Sequence, residues 1–160
     1  MKLLILKEKF LDIPEIDVEK GFRYCVGNIT NYKKSLLIAI KSVKAKLPLM
    51  HSMLKSNETD GLRIIAHTLI KVMDTIGADS LSQQSLELET AALNNQEKET
   101  HNLLSEYILT LENFISRLET VVRSIDETET AEEIGTSNMN YDFTKTKELL
   151  RNEYSKRNII

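Results

Sequence analysis

The chain has 160 residues, 41% of them hydrophobic, with 21 basic and 24 acidic side chains and a formal net charge of −3. That is enough for one domain with a genuine core and too little for two ordinary ones. Residues 1–125 carry 16 basic and 16 acidic groups without a basic stripe, a balance that excludes a nucleic-acid binder and favours a protein partner. Five Gly, two Pro and no Trp, beside abundant Leu, Ile, Lys and Glu, point to helices throughout. The single cysteine, Cys25, cannot close an internal disulfide, so a reduced, cytoplasmic setting is expected.

In chain order, residues 1–12 read as an N-terminal extension. Its apolar run ends at Lys7, Glu8 and Lys9 with no small-residue cleavage site after it, so neither a signal peptide nor a membrane span of about 20 apolar residues is expected. No membrane contact follows from it. A turn at Pro14 leads into a short helix from about Asp17 to Val26, stopped by Gly27 and Asn28. Asn28 or Thr30 then caps a long helix whose stripe is Tyr32, Leu36, Ile40, Val43, Leu47, Met50 and Leu54. Pro48 is expected to kink that helix near Lys44 or to split it. Polar residues from Ser56 to Asp60 cap the next helix, which runs to Ile76 and stops at Gly77. Asp79 or Ser80 caps the one after, in which Leu81, Ser85, Leu88 and Ala92 form one face and Leu86 and Leu93 a second strip. After Asn94 and Asn95 the longest pattern spans about Gln96 to Ile125, with Leu104, Ile108, Leu111, Ile115, Leu118 and Val122 as its stripe. Residues 126–133 carry five acids and no base, and 126–141 read as a flexible acidic linker. Residues 142–160 suggest a further short helix with no assigned docking site.

Four long amphipathic helices joined by short polar turns cannot each bury a stripe alone. The expected architecture is therefore all-α, an antiparallel four-helix bundle over residues 13–125, with the short helix near residue 20 covering one end.

His67 stands out within that frame. On a wheel of 100° per residue, Leu62, Ile65, Ala66, Leu69, Met73 and Ile76 fall within about 60° of one another's centre, and His67 lies about 140° from Leu62. Its surface neighbours are Arg63, Ile64, Lys71 and Asp74. A di-iron bundle would need Glu three residues before each ligand His, but the residues there are Pro48, Ile64 and Lys98. The histidines are too isolated for zinc. There is no P-loop, dinucleotide fingerprint or GxSxG elbow. His51 and His101, near their helices' apolar stripes, read as partly buried or rim histidines.

The run AHTLIKVMDTIGADSLSQQSLELE resembles the phosphohistidine motif of histidine-containing phosphotransfer (HPt) domains, Ala-His-x-Leu-Lys-Gly with a further Gly ten residues after the His. Ala66, His67, Leu69 and Gly77 match, and Leu88-Glu89 matches the polar-ended stretch of the next helix. The opening IPEIDVEKGFRYCVGNITNYKKSLL is similar to the family's start, so the resemblance covers about residues 13–125. Two positions depart from it: Ile70 stands where the family has Lys, and Lys71 where it has Gly.

The resemblance implies a phosphorelay intermediate and phosphocarrier, without an ATP-binding kinase domain. His67 would accept a phosphoryl group from the aspartate of a response regulator receiver domain, such as that of a hybrid sensor histidine kinase, and pass it to another receiver. The Mg²⁺ would belong to the receiver, with no cofactor on this chain. Lys71 would supply the phosphate-neutralising cation or, alternatively, obstruct docking. Glu89 would orient the imidazole ring, or else be a solvated surface residue. Ile64 and Ile70, with Arg63 and Asp74, would form the receiver's docking surface on a monomeric protein. The alternative is a degenerate HPt bundle that binds a receiver without phosphotransfer.

Overall fold

The computed structural model describes residues 2–136, and the side chains of residues 3–125. Its regular elements are all α-helices: α1 (Lys2–Lys9), α2 (Val18–Tyr24), α3 (Ile29–Ser56), α4 (Thr59–Ile76), α5 (Asp79–Leu93) and α6 (Glu97–Thr136). Over the described residues the protein is all-α. The chain divides into two compact units, Met1–Asp126 and Glu127–Ile160, and the apolar core lies in the first.

Local chemistry sets several helix ends. Asp17 is extended and its carboxylate accepts the Lys20 N–H at 3.1 Å, while the Asn28 side chain accepts the Asn31 N–H at 3.1 Å; each satisfies one of a helix's orphan donors. Asn28, rather than Thr30, is thus the cap of α3. Helix α3 ends on Asn57 and α4 on Gly77, both left-handed. Three sequence expectations change here. Helix α4 starts from Glu58, inside the polar run 56–60, but without a side-chain hydrogen bond to cap it. Helix α5 starts from Ala78 without a side-chain cap, so Asp79 and Ser80 sit inside its first turn, where the Asp79 carboxylate favours the positive end of the helix dipole. Pro48 does not split α3, which runs unbroken from Ile29 to Ser56. Val43 before it and Met50 after it are both fully buried, and packing on either side carries the helix across one missing backbone bond.

Residues 1–12 are also more than an extension. Leu6 and Phe10 belong to the core, the Phe10 ring lies 6.2 Å from that of Tyr32, and the Lys9 ammonium donates to the Ser124 carbonyl at 3.0 Å and to its hydroxyl. At the other end α6 continues to Thr136. The first part of the acidic run expected to be a linker is therefore helical, in keeping with its Glu and Ala content. The rest of that linker and the C-terminal segment 142–160 lie outside the described residues.

Side-chain pairs give the directions of the long helices. Tyr32 reaches Ile76 while Met53 lies against Gly61, so α3 and α4 run in opposite senses. His67 meets Glu89 and Ile70 meets Ser82, which reverses α5 relative to α4. Lys44 pairs with Glu119 and His51 with Glu112, which reverses α6 relative to α3. Ser85 bonds Tyr107 between α5 and α6.

One junction locks α2, α3 and α4 together. The Gly77 carbonyl accepts the Asp17 N–H at 2.8 Å, and the Tyr32 hydroxyl, fully buried, donates to the Ile76 carbonyl at 3.0 Å. That carbonyl is one of the four that the end of a helix leaves without an internal partner. Gly21 packs so closely against it that a Cβ there would stand 2.5 Å from the Ile76 oxygen. Gly77 has φ +84° and presses on the Asp17 backbone, a position only glycine fills without strain. The ordinary Tyr32 pKa is raised, first by burial, so its hydroxyl stays a donor.

Candidate functional site

The residues of α4 that are buried are Leu62, Ile65, Ala66, Leu69, Met73 and Ile76. They are the stripe that the 3.6-residue period sets opposite His67. With that face held in the core, His67 comes out on the far side with its side chain 59% exposed. Two anchors fix the helix beyond this point. The α2–α3–α4 junction holds its C-terminal end, and one turn beyond His67 the Ser82 hydroxyl of α5 donates to the Ile70 carbonyl at 3.2 Å.

Helix α5 brings the second group. Glu89 Oε1 lies 3.1 Å from His67 Nδ1, and its side chain is only 24% exposed. One turn earlier Ser85 is fully buried and donates to the Leu81 carbonyl or shares a hydrogen bond with the Tyr107 hydroxyl of α6. Burial pushes the Tyr107 pKa up to about 12, so this pair stays neutral. A buried polar pair of this kind sets the rotation of α5 about its axis, and Ser85 pointing inward leaves Glu89, 40° round the wheel, at the edge that borders α4.

A carboxylate at Nδ1 selects the imidazole tautomer with its proton there and leaves the lone pair on Nε2. A neutral ring held in this way by a neighbouring helix is capable of acting as a nucleophile at Nε2. The other sequence-predicted residues distribute unevenly around it. Arg63 and Lys71 are exposed, and Ile64 is 70% exposed, one turn before the histidine. Ile70 is only partly exposed. Asp74 is exposed two turns further on, where its charge acts on Lys20 of α2, so it sits toward the junction.

Two further residues belong to this face. Leu86 and Leu93, read as a second apolar strip of α5, are exposed. They stand three residues before and four after Glu89, and so flank it on one helix face. That spacing relative to Glu89 was the available signal. Among the other histidines, His51 is 54% exposed, with Nε2 at 2.7 Å from Glu112 Oε1, and His101 is exposed as well. Neither is buried. Among the described residues no group of three or more His, Cys, Asp or Glu side chains is placed to hold a metal ion, and no helix is long and apolar enough to cross a membrane.

Comparison with protein-family models, with curated proteins and with solved structures gives no match to this chain.

Proposed function

We propose that this protein is a cytoplasmic phosphotransfer protein of the HPt kind, with α3 to α6 as its antiparallel four-helix bundle and His67 as the residue that carries the phosphoryl group between receiver domains. The observation that carries this reading is the exposed His67 ring tied at Nδ1 to Glu89 of the adjacent helix. The alternating directions of α3, α4 and α5, and of α6 against α3, support the architecture.

In this reading the Nε2 lone pair attacks the phosphorus of an aspartyl phosphate on the receiver. The P–O bond to the acyl oxygen breaks and the aspartate leaves as carboxylate. Phosphorylation at Nε2 makes the ring a cation that keeps its Nδ1 proton, and the Glu89 carboxylate accepts that proton's hydrogen bond and balances the charge. A second receiver's aspartate then attacks the phosphorus and the neutral ring departs. Mg²⁺ stays with the receiver. Ile64, Leu86 and Leu93 offer the receiver an apolar rim around the histidine, and Lys71, one turn on, offers a cation to the phosphoryl oxygens.

The test is phosphotransfer from a phosphorylated receiver domain, followed by peptide mapping of the acid-labile label. Label on His67 supports the reading; binding of the receiver with no label on any histidine leaves the degenerate, binding-only alternative. Lys71→Ala separates the two roles of that lysine. Transfer slowed by about tenfold fits loss of a charged hydrogen bond, whereas faster transfer marks Lys71 as an obstruction.

A further inference from the structure

The His67 site has a second, matching copy on the other pair of long helices. Residues 50–55 read Met-His-Ser-Met-Leu-Lys and residues 66–71 read Ala-His-Thr-Leu-Ile-Lys. Both place a buried apolar residue before the histidine, a hydroxyl after it, an aliphatic residue three on and an exposed lysine four on. The partner helices repeat as well: Leu86-Glu87-Leu88-Glu89 on α5 is matched by Leu109-Thr110-Leu111-Glu112 on α6. In each, the second Leu is fully buried, the first is exposed, and the Glu reaches a histidine.

The match extends to surroundings. Leu109 is 68% exposed and stands three residues before Glu112, as Leu86 does before Glu89, so an exposed apolar side chain flanks the second carboxylate as well. Lys55 lies in the last turn of α3, the position at which Lys71 follows His67. One feature differs. Glu112 bonds Nε2 of His51 rather than Nδ1, which leaves the lone pair on Nδ1. His101 shares only the aliphatic residue three on, Leu104: its sequence neighbours are Thr100 and Asn102, Ser105 rather than a lysine stands four residues on, and among the described residues no hydrogen bond ties its ring.

We propose that His51, positioned by Glu112, is a second phosphoacceptor histidine, taking its phosphoryl group from an acyl phosphate of the same chemical class as the donor to His67. This rests on the phosphotransfer reading of His67. The Nδ1 lone pair attacks phosphorus, the P–O bond to the acyl oxygen breaks, and the carboxylate leaves. The ring keeps its Nε2 proton, whose hydrogen bond to Glu112 balances the charge gained. The two sites differ in product: Nε2-phosphohistidine at residue 67 and Nδ1-phosphohistidine at residue 51. They lie on different helix pairs, α4 with α5 and α3 with α6, so occupation of one does not consume the other.

The experiment uses the full chain and potassium phosphoramidate, which transfers its phosphoryl group as the donor's P–N bond breaks and ammonia leaves with the proton. Time-resolved peptide mapping reads each histidine, and phosphorus NMR reads which nitrogen carries the group. The expected result is two phosphoryl groups per chain, with His51 labelled at Nδ1 and about tenfold faster than His101, the gap that one charged hydrogen bond accounts for. Glu112→Gln should slow His51 and leave His67 unchanged. His67→Gln should leave His51 labelling intact, and His51→Gln should remove it. Labelling of His51 no faster than His101, or indifferent to Glu112→Gln, overturns the second site whatever His67 does. Failure at His67 with labelling at His51 overturns the first reading and keeps the second.

Discussion

The α2–α3–α4 junction and the His67 face are built from the same helix and held in opposite ways. At the junction Gly21 and Gly77 leave no room for a methyl group, Tyr32 is buried, and backbone groups of α2 and α4 bond each other directly. Around His67 one hydrogen bond to the Glu89 carboxylate orients the ring, and Arg63, Ile64 and Lys71 beside it are exposed. Close packing is concentrated where it fixes the rotation of α4, and the candidate site lies where side chains can change without disturbing the core. The expected consequence is that stability and reactivity separate along one helix.

The largest effect on folding should come from Gly77→Ala. The new methyl group meets the Asp17 carbonyl, and the φ of +84° is strained for any residue with a Cβ; together the clash and the strain should cost about 2–4 kcal/mol, read from a denaturant midpoint. A loss no greater than that of an average surface substitution would mean the junction yields easily. Tyr32→Phe probes the same place more gently. It leaves the Ile76 carbonyl without its buried donor, and about 1–3 kcal/mol should be lost.

A smaller effect should appear in acid. The Arg117 guanidinium beside Glu15, at 2.5 Å, holds the Glu15 carboxyl below the ordinary carboxylate range. The unfolded chain therefore takes up this proton first as pH falls. The stabilisation is fully present above the ordinary value near pH 4.3 and is lost as pH drops through the lower folded value. With both partners partly exposed it should amount to about 1 kcal/mol or less. Glu15→Gln should flatten that part of the stability profile; an unchanged slope below pH 4.3 would assign the acid sensitivity to other carboxylates.

The smallest effect on folding should accompany the sharpest effect on chemistry. His67→Gln should shift stability by under about 0.5 kcal/mol and remove the Nε2-phosphohistidine label entirely. A substantial loss of stability there would dissolve the contrast between the two ends of α4.

Several of these features were legible in the sequence. The apolar stripe of α4 emerges from the 3.6-residue period residue for residue, and with it the placement of His67 on the opposite side. Asp17, Asn28 and Gly77 act through bonds and dihedral angles within a few residues of themselves, so their roles as helix start and stop could be read locally. Pro48 left a kink or a split open in the sequence, and the split is prevented by Val43 and Met50, which are buried in the core on either side of it. Leu86 and Leu93 could be read as a second strip of α5 but not as an exposed one, because periodicity does not say which face the neighbouring helices cover.

What the sequence determined by itself is therefore the helical repeat, the start and stop at Asp17, Asn28 and Gly77, and the set of residues that share each face, because all of these depend on interactions over one or two turns. Which faces meet was decided by tertiary packing alone. Leu6 and Phe10 enter the core, Glu89 reaches a histidine 22 residues away, and Glu112 reaches another 61 residues away, because burying all the stripes at once fixes how the helices lie against one another, and that is a property of no single segment.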